Sequence, residues 1–251
     1  MATALEIARF LDKSLRVSSF EDRSNNGLQV ASRGNVQSVC CGVDASLDFF
    51  RAAQAQGAGL VVCHHGLSWG DSLRRITDLN YERISFLIRH NMALYACHLP
   101  LDAHPRHGNN AQICAAIGIG KLRPFGMYHG QCIGFGGSLS RPMPYARFLS
   151  LVEKQIGPAR CMPFGKSTVQ SIAVVSGGAA DHVVEAAEQA YDVFLSGEAT
   201  LSAYHEAKER AIHAIFAGHY ATETFGVKAL AKLLGKRFRL PAEFVDFSIE
   251  F

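Results

Sequence analysis

Short apolar runs alternate along the chain with longer segments in which apolar residues recur at helical spacing. The runs that end at Val43, Cys63 and Cys97 have the length of buried strands. The segments 46–56 and 73–91 carry apolar residues on one face, which predicts amphipathic helices. The same alternation of apolar runs and helical segments resumes after the middle of the chain and continues to its end. Alternating strands and helices are typical of an α/β protein with mainly parallel strands.

The character of the chain changes at residues 121–130, which read as a loop because they contain proline and glycine. We therefore predict two similar α/β domains with mainly parallel central sheets. The first domain is expected to comprise residues 1–126 together with 217–251, and the second residues 127–216. A closing strand is expected at residues 244–249.

The composition is that of a soluble globular protein, with 48% hydrophobic and 19% charged residues among 251. A net charge of +3 is too small to imply binding to nucleic acid. The seven cysteines lie mostly in apolar segments and form no C-x-x-C motif, which favours free thiols in a reducing cytoplasm. Residues 1–15 predict an amphipathic helix rather than a signal peptide, and no run reaches the ~20 apolar residues of a membrane span.

Three predicted strands are followed by side chains that commonly bind metal ions. Ligands in open α/β sheets bind beyond the carboxyl ends of the strands, so side chains at several strand ends can meet on one rim. We expect this rim, between the two domains, to form a metal site. Taken singly, each residue is more often structural, but their recurrence at strand ends favours a shared role. In chain order these residues are His64 and His65, then His98 and Asp102, then His219 and Glu223.

The spacing favours two ions rather than one. Adjacent residues in an extended chain point to opposite sides, so His64 and His65 serve two neighbouring ions more easily than a single ion. The two oxygens of Glu223 can bridge the ions, with Asp102 completing one and His219 the other. Paired divalent ions suit activation of water and stabilisation of a developing negative charge. Imidazole and carboxylate ligands are compatible with zinc, iron, manganese or nickel, so the ligand types do not identify the metal.

His98 is the candidate catalytic residue, because its place beside the predicted ligands suits it to orient a ligand or to transfer a proton. Asp44 and Glu198 also follow strands, and a structural role explains each of them equally well. The chain has no P-loop and no G-x-G-x-x-G motif, so no nucleotide-binding glycine loop is indicated.

Together these residues resemble the Nif-three-like dinuclear-metal proteins, many of which are named GTP cyclohydrolase 1 type 2 homologues. The resemblance implies that His65 and Asp102 hold one ion, that His64 and His219 hold the other, and that Glu223 bridges them. The matching stretches, in the same order as in the family, are Asn26-Gly27-Leu28-Gln29-Val30, Val62-Cys63-His64-His65-Gly66, His98-Leu99-Pro100-Leu101-Asp102, Ser196-Gly197-Glu198 and Gly218-His219-Tyr220-Ala221-Thr222-Glu223.

The resemblance also implies a ring-shaped homohexamer whose sites face an internal cavity, and a short form of the chain without an inserted middle domain. The first functional hypothesis is a metal-dependent hydrolase that acts on a nucleotide-like substrate such as GTP or a damaged nucleotide. The alternative is a metal-binding ring that serves as a scaffold without catalysis. A ring that binds single-stranded nucleic acid would need a basic, aromatic-rich lining, which one Trp and a net charge of +3 do not favour.

Overall fold

The structure, a computed structural model, describes residues 2–247 and residue 249. The helices are α1 Ala4–Leu15, α2 Leu47–Ala55, α3 Asp78–Arg89, α4 Leu99–Asp102, α5 Asn109–Ala116, α6 Tyr145–Gln155, α7 Val183–Glu188, α8 Leu201–Glu209 and α9 His219–Phe238. The strands are β1 Gly27–Val30, β2 Val39–Asp44, β3 Leu60–His65, β4 Ala93–Ala96, β5 Ile119–Tyr128, β6 Gln131–Pro144, β7 Arg160–Pro163, β8 Thr168–Val174, β9 Val193–Ser196, β10 His213–Phe216 and β11 Ala242–Phe244. The predicted α/β fold with two units is confirmed.

The chain forms two compact units. The first unit contains residues 2–101 and Gly226–Phe247, and the second contains Asp102–Phe225. These bounds differ from the predicted domains, which assigned residues 102–126 and 217–225 to the first domain. Residues 119–126 belong to the second unit because β5 pairs with β6 and therefore joins the second sheet.

The sheet of the first unit has the order β1-β4-β3-β2-β11. Strands β4, β3, β2 and β11 are parallel, and β1 is an antiparallel edge strand. Helices α2 and α3 cover one face, where Phe50 and Leu87 pack with Val61 and Leu94 in the core. Because both faces of β3 are buried, its sequence is a continuous apolar run until it reaches His64.

The sheet of the second unit has the order β5-β6-β8-β9-β10-β7 and is mixed. Strands β8, β9 and β10 are parallel, whereas β5, β6 and β7 pair in antiparallel fashion. The prediction of a loop over residues 121–128 is wrong, because these residues form most of β5. This strand lies at the edge of the sheet, where Pro124 is tolerated. His129 and Gly130 turn the chain into β6 with φ of 45° and 77°, as a two-residue hairpin with two positive φ values requires.

Near the C-terminus, α9 begins at His219. The closing strand is Ala242–Phe244, shifted from the predicted 244–249, and residue 248 of that prediction lies outside the described residues. Among the helices of the described part of the chain, none is both long enough and apolar enough to cross a membrane.

Candidate metal centre

Three imidazole rings converge at the carboxyl end of the first sheet. His64 and His65 are the last residues of β3, and His98 follows β4. The ring centroids of His64 lie 4.7 Å from His65 and 5.1 Å from His98, and those of His65 and His98 are 5.6 Å apart. One possible ligand atom of each ring lies within 4.8 Å of the other two. The spacing is short enough for a shared metal centre.

Hydrogen bonds fix the ring orientation of the two adjacent histidines. Nδ1 of His64 lies 3.0 Å from the carbonyl oxygen of Cys97, just after β4. A carbonyl oxygen only accepts, so Nδ1 carries the proton and Nε2 is the nitrogen that can ligate a metal. Nδ1 of His65 lies 2.8 Å from Oδ1 of Asp44, at the end of β2. Carbonyl and carboxylate partners of this kind orient metal-bound histidines in proteins.

His98 is held by a buried carboxylate. Its Nδ1 lies 3.0 Å from Oδ1 of Asp22, a side chain that is only 3% exposed. Asp22 also accepts hydrogen bonds from Asn26 and from the backbone N–H groups of Ser24 and Leu99. Burial raises the pKa of Asp22, but the hydrogen bond and charge of His98, followed by these other donors, lower that pKa to about 2. The ionised carboxylate therefore keeps Nδ1 of His98 turned toward it.

The second unit contributes an imidazole held between two carboxylates. His219 and Glu223 lie one turn apart on α9, with Nε2 of His219 3.0 Å from Oε1 of Glu223. Nδ1 of His219 lies 2.5 Å from Oε1 of Glu198, which follows β9. Burial lowers the pKa of His219, but the hydrogen bonds and charges of Glu223 and then Glu198 raise it to about 9. Since Glu223 is only 3% exposed, its charge calls for a cation close by.

Asp102, at the end of α4, belongs to the same unit and is 5% exposed. Its Oδ1 accepts hydrogen bonds from Nδ2 of Asn109 at 2.8 Å and from Oγ of Ser176 at 3.0 Å. The next residue, Gly177, has a φ of +67° and lies so close to Glu223 that a Cβ there would collide with the carboxylate. The turn after β8 thus supports Asp102 through Ser176 and makes room for Glu223 through Gly177.

The donor set fits divalent transition metals. Buried imidazoles and carboxylates are the ligands that zinc, iron, manganese and nickel accept. In His64, His65 and His98, Nδ1 lies against a carbonyl or carboxylate oxygen, so Nε2 is the nitrogen that could ligate a metal or carry a proton. In His219, Nδ1 lies against Glu198 and Nε2 against Glu223, so a metal bound at Nε2 would take the place of the proton between them.

Within the first unit the structure brings His64, His65 and His98 together, and within the second it pairs His219 with Glu223. Asp44 and Glu198 could be noticed from their positions at strand ends, but their hydrogen bonds to His65 and His219 could not be predicted. Asp22 was missed because it lies in an irregular loop, where no periodic pattern marks it.

Comparison with known proteins shows one family across the chain. The sequence model of Duf34/NIF3 (NGG1p interacting factor 3) matches residues 2–250. A protein of Archaeoglobus fulgidus named GTP cyclohydrolase 1 type 2 homolog is 42% identical over 96% of each chain. The structure of protein ybgI, described as of unknown function, has a TM-score of 0.92 at 32% identity and covers 98% of this chain and 99% of its own. TTHA1606 from Thermus thermophilus has a TM-score of 0.90 at 34% identity, with 98% of both chains covered.

Proposed function

Because the chain belongs to the Duf34/NIF3 family, we propose that it is a dinuclear-metal-dependent hydrolase with a nucleotide-like substrate. The observation that carries the proposal is the hydrogen bonding behind the histidines, in which carbonyl and carboxylate oxygens occupy Nδ1 and make Nε2 the ligating atom.

The proposed ligands come from both units. His65 and Asp102 would hold one ion, His64 and His219 the other, and Glu223 would bridge them. When bound, such a pair lowers the pKa of coordinated water and stabilises negative charge that develops on the substrate. The hydrogen bonds from Asn109 and Ser176 aim the carboxylate of Asp102, and Asp44 and Glu198 aim the rings of His65 and His219.

The substrate class follows from the names of the relatives, which are called homologues of a GTP cyclohydrolase. We propose that water opens the five-membered ring of a purine nucleotide, either GTP or a damaged nucleotide. The water oxygen bonds to C8 and a C8–N bond breaks, so one proton leaves the water and one reaches the departing nitrogen. His98 would carry this proton on Nε2, because Asp22 holds its Nδ1–H.

The test measures metal content and turnover together. We expect Glu223→Gln to lose metal and to lose turnover of GTP, whereas Glu153→Gln, an exposed carboxylate on α6, should keep both. His98→Ala should keep its metal and lose roughly 10²- to 10⁴-fold in turnover. Turnover that persists in metal-free Glu223→Gln protein would contradict the proposal. Wild-type protein that holds metal but turns over no purine nucleotide would instead favour the scaffold function.

Two further properties belong to this proposal. We place the protein in a reducing cytoplasm, since all seven cysteines are free thiols. We also propose a homohexamer, on the strength of the family resemblance, and light scattering of the purified chain tests it. A mass six times that of the 27.3 kDa chain is expected, and a monomer would contradict it.

A further inference from the structure

We propose that Trp69 is a stacking platform for the planar ring of the substrate, a nitrogen heterocycle such as a purine. This inference rests on the proposed function, because it assigns one part of the substrate to the same site. Trp69 is the only tryptophan of the chain. Its ring centroid lies 5.0 Å from that of His98 and 5.8 Å from that of His65. An aromatic surface is therefore placed directly beside the candidate ligands.

The segment that carries Trp69, residues 66–72, is clamped by the carboxamide of Gln29. Oε1 of Gln29 accepts hydrogen bonds from the N–H of Leu67 at 2.7 Å and of Ser68 at 3.1 Å. Nε2 of the same side chain donates to the carbonyl oxygens of Asn25 and Ser68. A ring held in advance loses little conformational freedom when a ligand stacks on it, so the contact contributes more to affinity.

The polar atom of Trp69 is engaged within its own loop. Nε1–H donates to the carbonyl oxygen of Gly66 at 2.8 Å. The Trp69 backbone forms a turn with Ser72, whose hydroxyl accepts from the Trp69 N–H at 2.9 Å. The part of the indole that remains for a ligand is its π surface, and the side chain is half-buried rather than buried. Base–aromatic stacking uses this surface and tolerates many different bases.

The charges of the site favour a neutral ring, rather than a cationic group, as the ligand that binds to the face of the indole. A cation can also bind the face of a tryptophan. Divalent ions held by the neighbouring His65 would repel such a cation, whereas a neutral heterocycle is not repelled. The phosphates of a nucleotide would at the same time be attracted to the ions, so base and phosphates would bind to different parts of the site.

The single tryptophan makes its own fluorescence the probe. We expect GTP and guanosine to quench the emission of the metal-loaded wild-type protein in a saturable way, whereas inorganic tripolyphosphate should bind with little quenching. UTP tests whether the platform also accepts a pyrimidine. Quenching of the Trp69 emission by UTP would indicate a platform for planar rings in general, and quenching by purines alone would indicate one limited to purines. Equal quenching by tripolyphosphate and GTP, or no saturable quenching by any nucleotide, would overturn the proposal.

Calorimetry of GTP and tripolyphosphate binding to variants completes the test. Trp69→Leu should weaken GTP binding roughly 5- to 150-fold, and Trp69→Phe should weaken it less, since a benzene ring still stacks. Tripolyphosphate affinity and metal content should stay at the wild-type level in both, which shows that the clamp and the histidines are intact. Tyr81→Leu, which removes an exposed aromatic on α3, should bind GTP like the wild type.

The two proposals fail in different ways. Wild-type GTP affinity in Trp69→Leu, with metal-dependent turnover retained, would reject the platform and leave the hydrolase standing. Ring-dependent quenching in a wild-type protein that shows no turnover would reject the hydrolase and leave a nucleoside-binding platform.

Discussion

At the scale of single residues, the main feature is the set of oxygen atoms that lie within hydrogen-bond distance of Nδ1 of the histidines. Cys97 presents a carbonyl to His64, and Asp44 presents a carboxylate to His65. Cys97 follows β4 and Asp44 ends β2, and these are the strands on either side of β3. The rings of adjacent residues are thus supported from the two strands that flank β3 in the sheet.

Replacement of Asp44 by asparagine tests this support. We expect Asp44→Asn to weaken metal binding by about 10- to 100-fold, because the amide orients His65 less firmly and lowers its basicity. Competition with a chromogenic chelator measures the effect. Asp48→Asn, on a side chain that is 76% exposed, serves as the control and should bind metal as the wild type does. Equal affinities in the two variants would show that Asp44 does not act through His65.

The type and chain position of the candidate ligands could be predicted from the sequence, because histidines and carboxylates at strand ends are a pattern of local sequence. Their supporting partners could not. Asp22 and His98 are 76 residues apart, and their hydrogen bond depends on where an irregular loop comes to lie. Likewise, the side chain of Asn109 donates to Asp102, and Gly108 takes the N-cap position of α5.

At the scale of elements, the turn after β3 depends on Gly66. A Cβ at this position would collide with the carboxamide of Gln29 and with the Cβ of Ala96. Neither neighbour can move easily, since Gln29 is held by several hydrogen bonds and Ala96 lies within β4.

We therefore expect Gly66→Ala to lower the free energy of unfolding by ~1–3 kcal/mol, the usual cost of overpacking. Denaturant unfolding of the metal-free protein measures it without a contribution from the ions. Gly59→Ala is the matched control, because its Cβ would meet only ordinary contacts, the nearest at 3.5 Å. A penalty in Gly59→Ala as large as that in Gly66→Ala would show that the collision is not the cause.

In the second unit, Asp192 joins the start of β9 to β8. Its Oδ2 accepts hydrogen bonds from the N–H of Gln170, from the N–H of Ser171 and from the hydroxyl of Ser171. Burial raises the pKa of Asp192, but these donors, followed by the charge of Lys166, lower it below its ordinary value. A carboxylate with a lowered pKa stabilises the fold above its unfolded-state pKa, and that stabilisation is lost as the pH falls through the folded-state pKa.

We expect Asp192→Asn to reduce the free energy of unfolding by roughly 1–3 kcal/mol at neutral pH. The difference from the wild type should begin to shrink as the pH falls below about 4, where Asp192 of the unfolded chain becomes protonated, and it should be lost below the lowered pKa of the folded protein. Urea unfolding of both proteins across this pH range provides the measurement. A penalty that stays constant down to the lowest pH would show that the charge of Asp192 does not contribute.

Most elements were predictable because buried parallel strands and amphipathic helices carry clear periodic signals. The edge strands were harder to predict. β5 contains proline and glycine and was predicted as a loop, and β7 is only four residues long. Both lie at the edges of the second sheet, where pairing on one side only allows residues that an interior strand would exclude.

At the scale of the whole molecule, the candidate ligands are divided between two compact units. His64 and His65 belong to the first unit, and Asp102, His219 and Glu223 to the second. Metal binding would then stabilise the folded chain against unfolding in proportion to its occupancy.

The stoichiometry of metal binding tests the central claim most directly. Elemental analysis by inductively coupled plasma mass spectrometry should be made on freshly purified protein and on protein reloaded in turn with zinc, iron, manganese and nickel. We predict two tightly held divalent ions per chain with at least one of these metals, and their loss in Glu223→Gln. A chain that holds no ion, or a single ion, under every one of these conditions would contradict it.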